Sequence, residues 1–234
     1  MAFDSLSVFF PTYNEEGNIK NTVLKAKQVL LHLVKDWEIL IINDGSTDRT
    51  KEIMEILAKD DARIRVINHE VNKGYGASLK SGFYNAKYPW ITFTDSDGQF
   101  DFSEISFFFD KQKETNADLV IGYYKKRKVS KFKIITSKMW EIAVITLFGL
   151  RVNDIDCGFK LIRKTVIENI SRLDSERGAF ISSELLIKAK NNGFKIVEIP
   201  VTHLPRTQGK GTGRDIKVII QSFIDLFRLW KKLR

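Results

Sequence analysis

The sequence predicts an α/β protein: one mostly parallel central sheet with helices on both faces. Three observations predict it. Short apolar runs of four to seven residues alternate with longer polar-periodic segments through the first half of the chain. Runs of that length, bounded by turn residues, read as buried strands, and the segments between them carry helical spacing. Strand–helix alternation of this kind builds parallel sheets covered on both sides. The residues directly after each run are polar, and two of these stretches are rich in carboxylates.

Strands are expected at Leu6–Pro11, Trp37–Asn43, Ile64–Asn68, Trp90–Thr94 and Leu119–Gly122. Helices are expected at Glu15–Leu33, Asp48–Lys59, Tyr75–Ala86 and Phe102–Thr115. The second half has another texture. A basic segment, Lys125–Lys133, leads into an apolar helix at Ile134–Leu150, and Asp154–Arg163 reads as a strand or turn. A helix at Ser182–Asn192, a strand at Lys195–Leu204 and a glycine-rich basic loop at Arg206–Arg214 follow. An amphipathic helix, Asp215–Arg234, closes the chain. No repeat, low-complexity tract or linker divides the sequence, so residues 1–234 are expected to form a single domain.

Its 234 residues are enough to bury roughly 70% of the unfolded surface. A hydrophobic fraction of 43% with four prolines and 14 glycines excludes disordered and collagen-like chains. The single cysteine, Cys157, excludes a disulfide framework and fits a reducing compartment. No stretch has the roughly 20 apolar residues that cross a bilayer, and Asp4 interrupts any leader, so a soluble or peripheral protein is expected. The net charge of +9 is unevenly spread. Residues 1–122 hold 14 basic and 19 acidic side chains, residues 123–234 hold 24 and 10. The basic half fits an anionic partner, whether phosphate, membrane surface or nucleic acid.

In α/β sheets ligands sit outside the carboxyl ends of the strands, where strand order reverses. Asp95-Ser96-Asp97-Gly98-Gln99 follows the fourth expected strand. Residues two apart on an extended chain point the same way, so Asp95 and Asp97 can project together. Two adjacent carboxylates repel unless a cation lies between them, and a hard divalent ion prefers such oxygen ligands. The same stretch also reads as a plain turn, with Ser103 or Asp101 capping the next helix.

Pro11-Thr12-Tyr13-Asn14-Glu15, Asn43-Asp44-Gly45-Ser46-Thr47-Asp48, Asn72-Lys73-Gly74 and Asp95-Ser96-Asp97-Gly98-Gln99 each follow a strand, in that order. With Asp154-Ile155-Asp156-Cys157-Gly158-Phe159-Lys160, Glu184 and Glu198-Ile199-Pro200-Val201, they resemble the family 2 inverting glycosyltransferases of GT-A fold. The resemblance covers residues 5–205 and is strongest to the dolichol-phosphate mannose synthase and polyprenyl-phosphate glycosyltransferase branch. It implies a nucleotide-binding half over about 1–122, an acceptor half over about 123–214, and a terminal helix over 215–234. It also implies transfer of a hexose from GDP-mannose or UDP-glucose to a polyprenyl (dolichyl) phosphate, with inversion.

Carried over residue by residue, the resemblance implies that Pro11, Tyr13, Glu15, Asp44, Lys73 and Gly74 bind the nucleotide. Asp97 and Gln99 would ligate Mg2+ or Mn2+, with Asp95 orienting the sugar or the metal shell. Asp154 matches an aspartate near the acceptor. A lipid phosphate needs no general base, because its second pKa is about 6. Cations that orient it suffice, and Arg127, Lys131, Lys133, Arg206, Lys210 and Arg214 are the candidates. The chain departs from the family at Tyr123-Tyr124, where many relatives carry Ser-Arg, and in the spacing after Arg206.

Trp and Phe on apolar faces with basic flanks, at Ile142–Leu150 and Val218–Trp230, suit helices lying in a membrane interface. The expected location is therefore the cytoplasmic membrane face, alone, with a membrane-protein partner or as a homo-oligomer. Two other readings stay open: a sugar-hydroxyl acceptor with Asp154 or Asp156 as base, and a non-catalytic basic membrane-binding module. No nucleic-acid motif is present, and His32, His69 and His203 fit structural roles.

Overall fold

The computed structural model describes residues 3–124, 131–175, 178, 180–205 and 216–233, with the helical backbone alone for 131–137 and 216–220. Seven strands form one sheet: β1 (Phe3–Thr12), β2 (Val34–Asn43), β3 (Ile64–Asn68), β4 (Trp90–Phe93), β5 (Leu119–Tyr124), β6 (Lys160–Arg163) and β7 (Ile196–Val201). Their order is β3-β2-β1-β4-β6-β5-β7. β1, β2, β3 and β4 are parallel, β5 pairs parallel with β7, and β6 runs against both of its neighbours.

Among the described residues, eight α-helices accompany this sheet: α1 (Ile19–Leu33), α2 (Thr50–Asp60), α3 (Tyr75–Asn85), α4 (Ile105–Thr115), α5 (Lys131–Phe148), α6 (Lys164–Asn169), α7 (Phe180–Asn191) and α8 (Ile216–Leu233). Strand alternation decides which helix goes where. Leu6, Val8 and Phe10 of β1 and Ile39 and Ile41 of β2 face one core, with Ile19, Val23 and Leu30 of α1, Met54 of α2 and Phe108 of α4. Phe9, Leu40 and Ile42 face the other, with Leu79 and Phe83 of α3, Val144 of α5 and Ile181 and Leu185 of α7. α3 lies so close to the sheet that a Cβ on Gly82 would stand 2.3 Å from the Phe9 ring. Only glycine fits there.

Element boundaries differ from the sequence expectation where side-chain bonding overrides periodicity. The first helix starts at Ile19 rather than Glu15, because the Glu15 carboxylate accepts from the Asn18 amide at 2.7 Å and its N–H donates to Thr50 Oγ1 at 2.8 Å. The second starts at Thr50, whose N–H the Asp48 carboxylate caps. Asp101 caps a single 3-10 turn, Phe102–Glu104, through the Ser103 N–H before α4 begins. The 154–163 segment is strand only from Lys160, and α6 is too short for its period to be read. Within the basic segment expected at Lys125–Lys133, residues 125–130 lie outside the described residues.

A buried ion pair fixes the C-terminal half. Lys188 and Glu184 of α7, both 1% exposed, meet at 2.6 Å. Glu184 also accepts from the N–H groups of Asp174 and Ser175 and from the Ser175 hydroxyl. Lys188 donates to the Arg172 carbonyl at 2.6 Å, and Lys232 at the tip of α8 reaches Asp174 at 2.6 Å. Burial alone would raise the Glu184 carboxyl; the Lys188 ammonium, the Ser175 hydroxyl and the two N–H groups outweigh it, and the group lies below its ordinary range. Lys188→Met leaves that carboxylate without its counter-charge and is expected to cost about 3–5 kcal/mol at pH 7, read by urea unfolding. The depressed Glu184 pKa contributes stability that is complete above the ordinary glutamate value of about 4.3 and is lost as pH falls below it. Glu184→Gln should remove that part of the acid-side slope in unfolding free energy measured between pH 7 and 3.

Candidate active site

The strand order reverses between β1 and β4: β2 follows β1 on one side, and β4 stands on the other. Their carboxyl ends open the crevice where α/β sheets bind ligands. Two loops border it, and both are fastened to the last turn of β1. The Asp44 N–H donates to the Thr12 carbonyl at 2.9 Å. The Ser96 hydroxyl donates to the Pro11 carbonyl at 2.8 Å. The loop after β2 and the loop after β4 thus meet at consecutive residues of one strand.

On the β2 side, Asp44 is 3% exposed and its carboxylate is heavily engaged. It accepts from the N–H of Lys73 at 2.9 Å and of Gly74 at 2.8 Å, and it meets His69 Nδ1 at 2.7 Å. His69 Nε2 in turn meets the Ser81 hydroxyl at 2.9 Å. Asp44 therefore shapes the Lys73–Gly74 loop from within. Glu15 is buried at the start of the β1 loop, and Tyr13 stands 44% exposed at the crevice. Asn14 ties this loop to the next by accepting from the Thr47 N–H at 2.8 Å.

On the β4 side, Asp97 accepts from the Gln99 N–H at 3.0 Å, so the aspartate and the glutamine are adjacent. The Gln99 side-chain NH2 donates to the Leu204 carbonyl at 3.0 Å, and the Leu204 N–H donates back to the Gln99 carbonyl at 2.8 Å. These bonds orient the amide and bring the end of the β7 strand onto the loop. Asp95 accepts from the Tyr75 hydroxyl at 3.0 Å. Burial, and then the nearby Asp95 charge, push the Tyr75 phenol well above its ordinary range, so it stays a donor.

The antiparallel sense of β6 completes the rim. Because β6 runs against β4 and β5, the residues before it, 154–159, arrive at the same end as the residues after β1, β2 and β4. Asp154 accepts from the Asp156 N–H at 3.0 Å, and Glu198 holds the preceding turn through the Asn153 N–H at 2.7 Å. A Cβ on Gly158 would stand 2.7 Å from Asp95 Oδ2, so the bare backbone there lets the two segments touch. Lys160, fully buried, donates to the Cys157 carbonyl and lies 5.6 Å from the Phe93 ring centre. Burial pulls its ammonium below the usual lysine range.

Asp95, Asp97 and Gln99 supply two carboxylates and an amide oxygen, a hard-oxygen set suited to Mg2+ or Mn2+. Among the described residues no group of three or more His, Cys, Asp or Glu could hold a metal ion. A cation here would depend on Gln99 and on oxygens brought by a ligand. Of the six cations expected to bind an acceptor phosphate, Arg127, Arg206, Lys210 and Arg214 lie outside the described residues; Lys131 and Lys133 fall in the first turn of α5, where the backbone alone is described. Sequence reading passed over Tyr75 and Lys160 as site residues. The signals were there: an aromatic opening the helix after the Lys73–Gly74 loop, and a lysine inside an apolar strand.

Asp44→Asn replaces one acceptor oxygen by an NH2 facing the Lys73 and Gly74 N–H donors. It is expected to lower stability by about 1–3 kcal/mol and to loosen the Lys73–Gly74 loop, read by urea unfolding and by faster amide hydrogen exchange at those two residues.

Comparison with known proteins agrees with this arrangement. The model of the family "Glycosyl transferase family 2" matches residues 7–171. A dolichyl-phosphate beta-glucosyltransferase of Trichomonas vaginalis is 31% identical over 84% of this chain and 64% of its own length. A polyprenol monophosphomannose synthase of Mycolicibacterium smegmatis is 31% identical over 90% of this chain and 82% of its own. The chain thus spans under two thirds of the first relative's length. Glucosyl-3-phosphoglycerate synthase from Mycobacterium tuberculosis, solved with Mn2+, UDP and glucosyl-3-phosphoglycerate, superposes with a TM-score of 0.74 at 20% identity, covering 97% of this chain and 80% of that one. That likeness is one of fold, and it is the GT-A fold. The crevice at the β1–β4 reversal, the motifs that border it and the family match lead to one conclusion: this chain belongs to glycosyl transferase family 2.

Proposed function

We propose that the chain transfers a hexose from a nucleotide sugar, GDP-mannose or UDP-glucose, to the phosphate of a polyprenyl carrier such as dolichyl phosphate, with inversion at the anomeric carbon. The observation that carries this reading is the junction at Pro11–Thr12, where the Asp44 loop and the Asp95–Gln99 loop are fastened to one strand end. A nucleoside diphosphate has a base at one end and two phosphates at the other, and this junction offers a separate loop to each. The named activities of the curated relatives support the acceptor class.

In this reading Pro11, Tyr13 and Glu15 line the nucleoside, and Asp44 holds Lys73 and Gly74 against it. Asp95, Asp97 and Gln99 hold Mg2+ or Mn2+, which when bound neutralises the departing diphosphate. The acceptor phosphate is largely dianionic at neutral pH and attacks without a base. Cations of the basic half, among them Arg127, Lys131, Lys133, Arg206, Lys210 and Arg214, orient it and offset its charge. Asp154 then shapes the turn beside the acceptor, consistent with its bond to the Asp156 N–H.

The acceptor class calls for contact with a lipid surface. Among the described residues no helix is long and apolar enough to cross a membrane. An open apolar groove runs along α8, lined by Phe223, Ile224, Phe227 and Arg228, and Phe223 packs edge-on against Trp140 of α5 with ring centres 5.1 Å apart. Met139 and Ile142 of α5 and Ile224 and Phe227 of α8 are exposed, and the Lys231 ammonium stands 4.9 Å from the Phe227 ring centre. Such a surface suits peripheral docking on an anionic leaflet. The free, buried thiol of Cys157 favours the cytoplasmic side.

Transfer from radiolabelled GDP-mannose and UDP-glucose to polyprenyl phosphate, with and without EDTA, tests the reading. Wild type is expected to be active only with a divalent ion, and Asp97→Asn to lose at least a hundredfold in kcat. Asp156→Asn should keep activity within about threefold. A large loss in Asp156→Asn with a bell-shaped pH profile would point to a hydroxyl acceptor instead. No transfer from either donor would overturn the proposal.

A further inference from the structure

We infer that Tyr75 is a positioning residue: its hydroxyl holds the Asp95 carboxylate in the orientation that the donor's divalent cation requires, with the Gly158 backbone packed close against the same carboxyl. The inference rests on the proposed donor site and adds a residue to it. The Tyr75 hydroxyl donates to Asp95 Oδ1 at 3.0 Å. The Gly158 backbone also closes in, since a Cβ there would lie 2.7 Å from Oδ2, 3.0 Å from Cγ and 3.1 Å from Oδ1 of the same carboxyl. One oxygen is thus hydrogen-bonded while the Gly158 backbone crowds the whole carboxyl, which limits rotation of the group about its χ angles.

Tyr75 can do this because its own position is over-determined. It packs against the core, and α3 behind it is pressed onto the sheet at Gly82, against Phe9. The two residues before it, Lys73 and Gly74, have their N–H groups held by Asp44. A segment of three residues is therefore gripped by the nucleoside-side carboxylate and grips the metal-side one. Groups that orient a metal ligand typically affect metal affinity 10–100-fold when removed. The hydroxyl also links the two loops: a nucleoside that shifts Lys73–Gly74 moves the anchor of Asp95 with it.

The test is Tyr75→Phe, which deletes one oxygen and keeps the packing. Mn2+ binding is followed by electron paramagnetic resonance of free Mn2+ in the presence of saturating GDP or UDP, and nucleotide binding by calorimetry in EDTA. The expected result is Mn2+ affinity about tenfold weaker in the ternary complex, with metal-free nucleotide affinity unchanged within twofold. In turnover kcat should fall while KM for the lipid acceptor stays put. Gly158→Ala, which presses a methyl group on the same carboxyl, should weaken Mn2+ in the same way and serves if Tyr75→Phe proves unstable. Mn2+ affinity within twofold of wild type in a folded Tyr75→Phe protein overturns the inference and leaves the donor site standing. A wild type that binds neither nucleotide with Mn2+ overturns the donor site itself, and this assignment with it.

Discussion

Two hydrogen bonds at the end of β1 organise the molecule. The carbonyls of Pro11 and Thr12 lie at the end of β1, where β2 still runs alongside but pairing with β4 has stopped at Phe9, and a backbone acceptor left bare in a protein interior is costly. The Ser96 hydroxyl and the Asp44 N–H satisfy them. Because those donors come from the loops after β4 and β2, satisfying the strand end forces the two loops together. The crevice follows from backbone accounting at one strand terminus, and the carboxylates are delivered to it as a consequence.

The same economy recurs around the rim. Asp44 spends its carboxylate on the two N–H groups of Lys73 and Gly74, so a charge that would be expensive to bury is distributed over amide dipoles. Glu198 does this for the turn at Asn153. Lys160 lies fully buried near Asp95, Asp154 and Asp156. In the C-terminal half, Glu184 and Lys188 hold the loop at 172–175 and, through Asp174, the tip of α8. Asp44, Asp97 and Glu198 at the opening are held by backbone donors, whereas Glu184 and Asp174 near the tip of α8 have lysine partners as well.

Much of this was legible in the sequence because it is carried by local patterns. Five strands and the helices between them follow from apolar runs and helical periodicity, which report burial directly. The carboxylate loops were visible because polar residues bunch after those runs. What stayed hidden depends on partners distant in the chain. That Glu15 delays the first helix required knowing that Thr50 accepts its N–H. The reversed direction of β6 has no local signature, since four residues read the same either way. Tyr75 looked like the opening of a helix; only the approach of β4, 20 residues later, gives its hydroxyl a purpose. The mostly parallel sheet was anticipated, and its one reversed strand was not.

That reversed strand separates two architectural freedoms. The chain crosses the rim on its way into β6, whereas it crosses the rim on its way out of β1, β2 and β4. Lengthening or reshaping the approach through residues 150–156 therefore leaves the registers that align Thr12, Asp44 and Ser96 untouched. Segments that enter the rim and segments that leave it can therefore vary in length independently of one another.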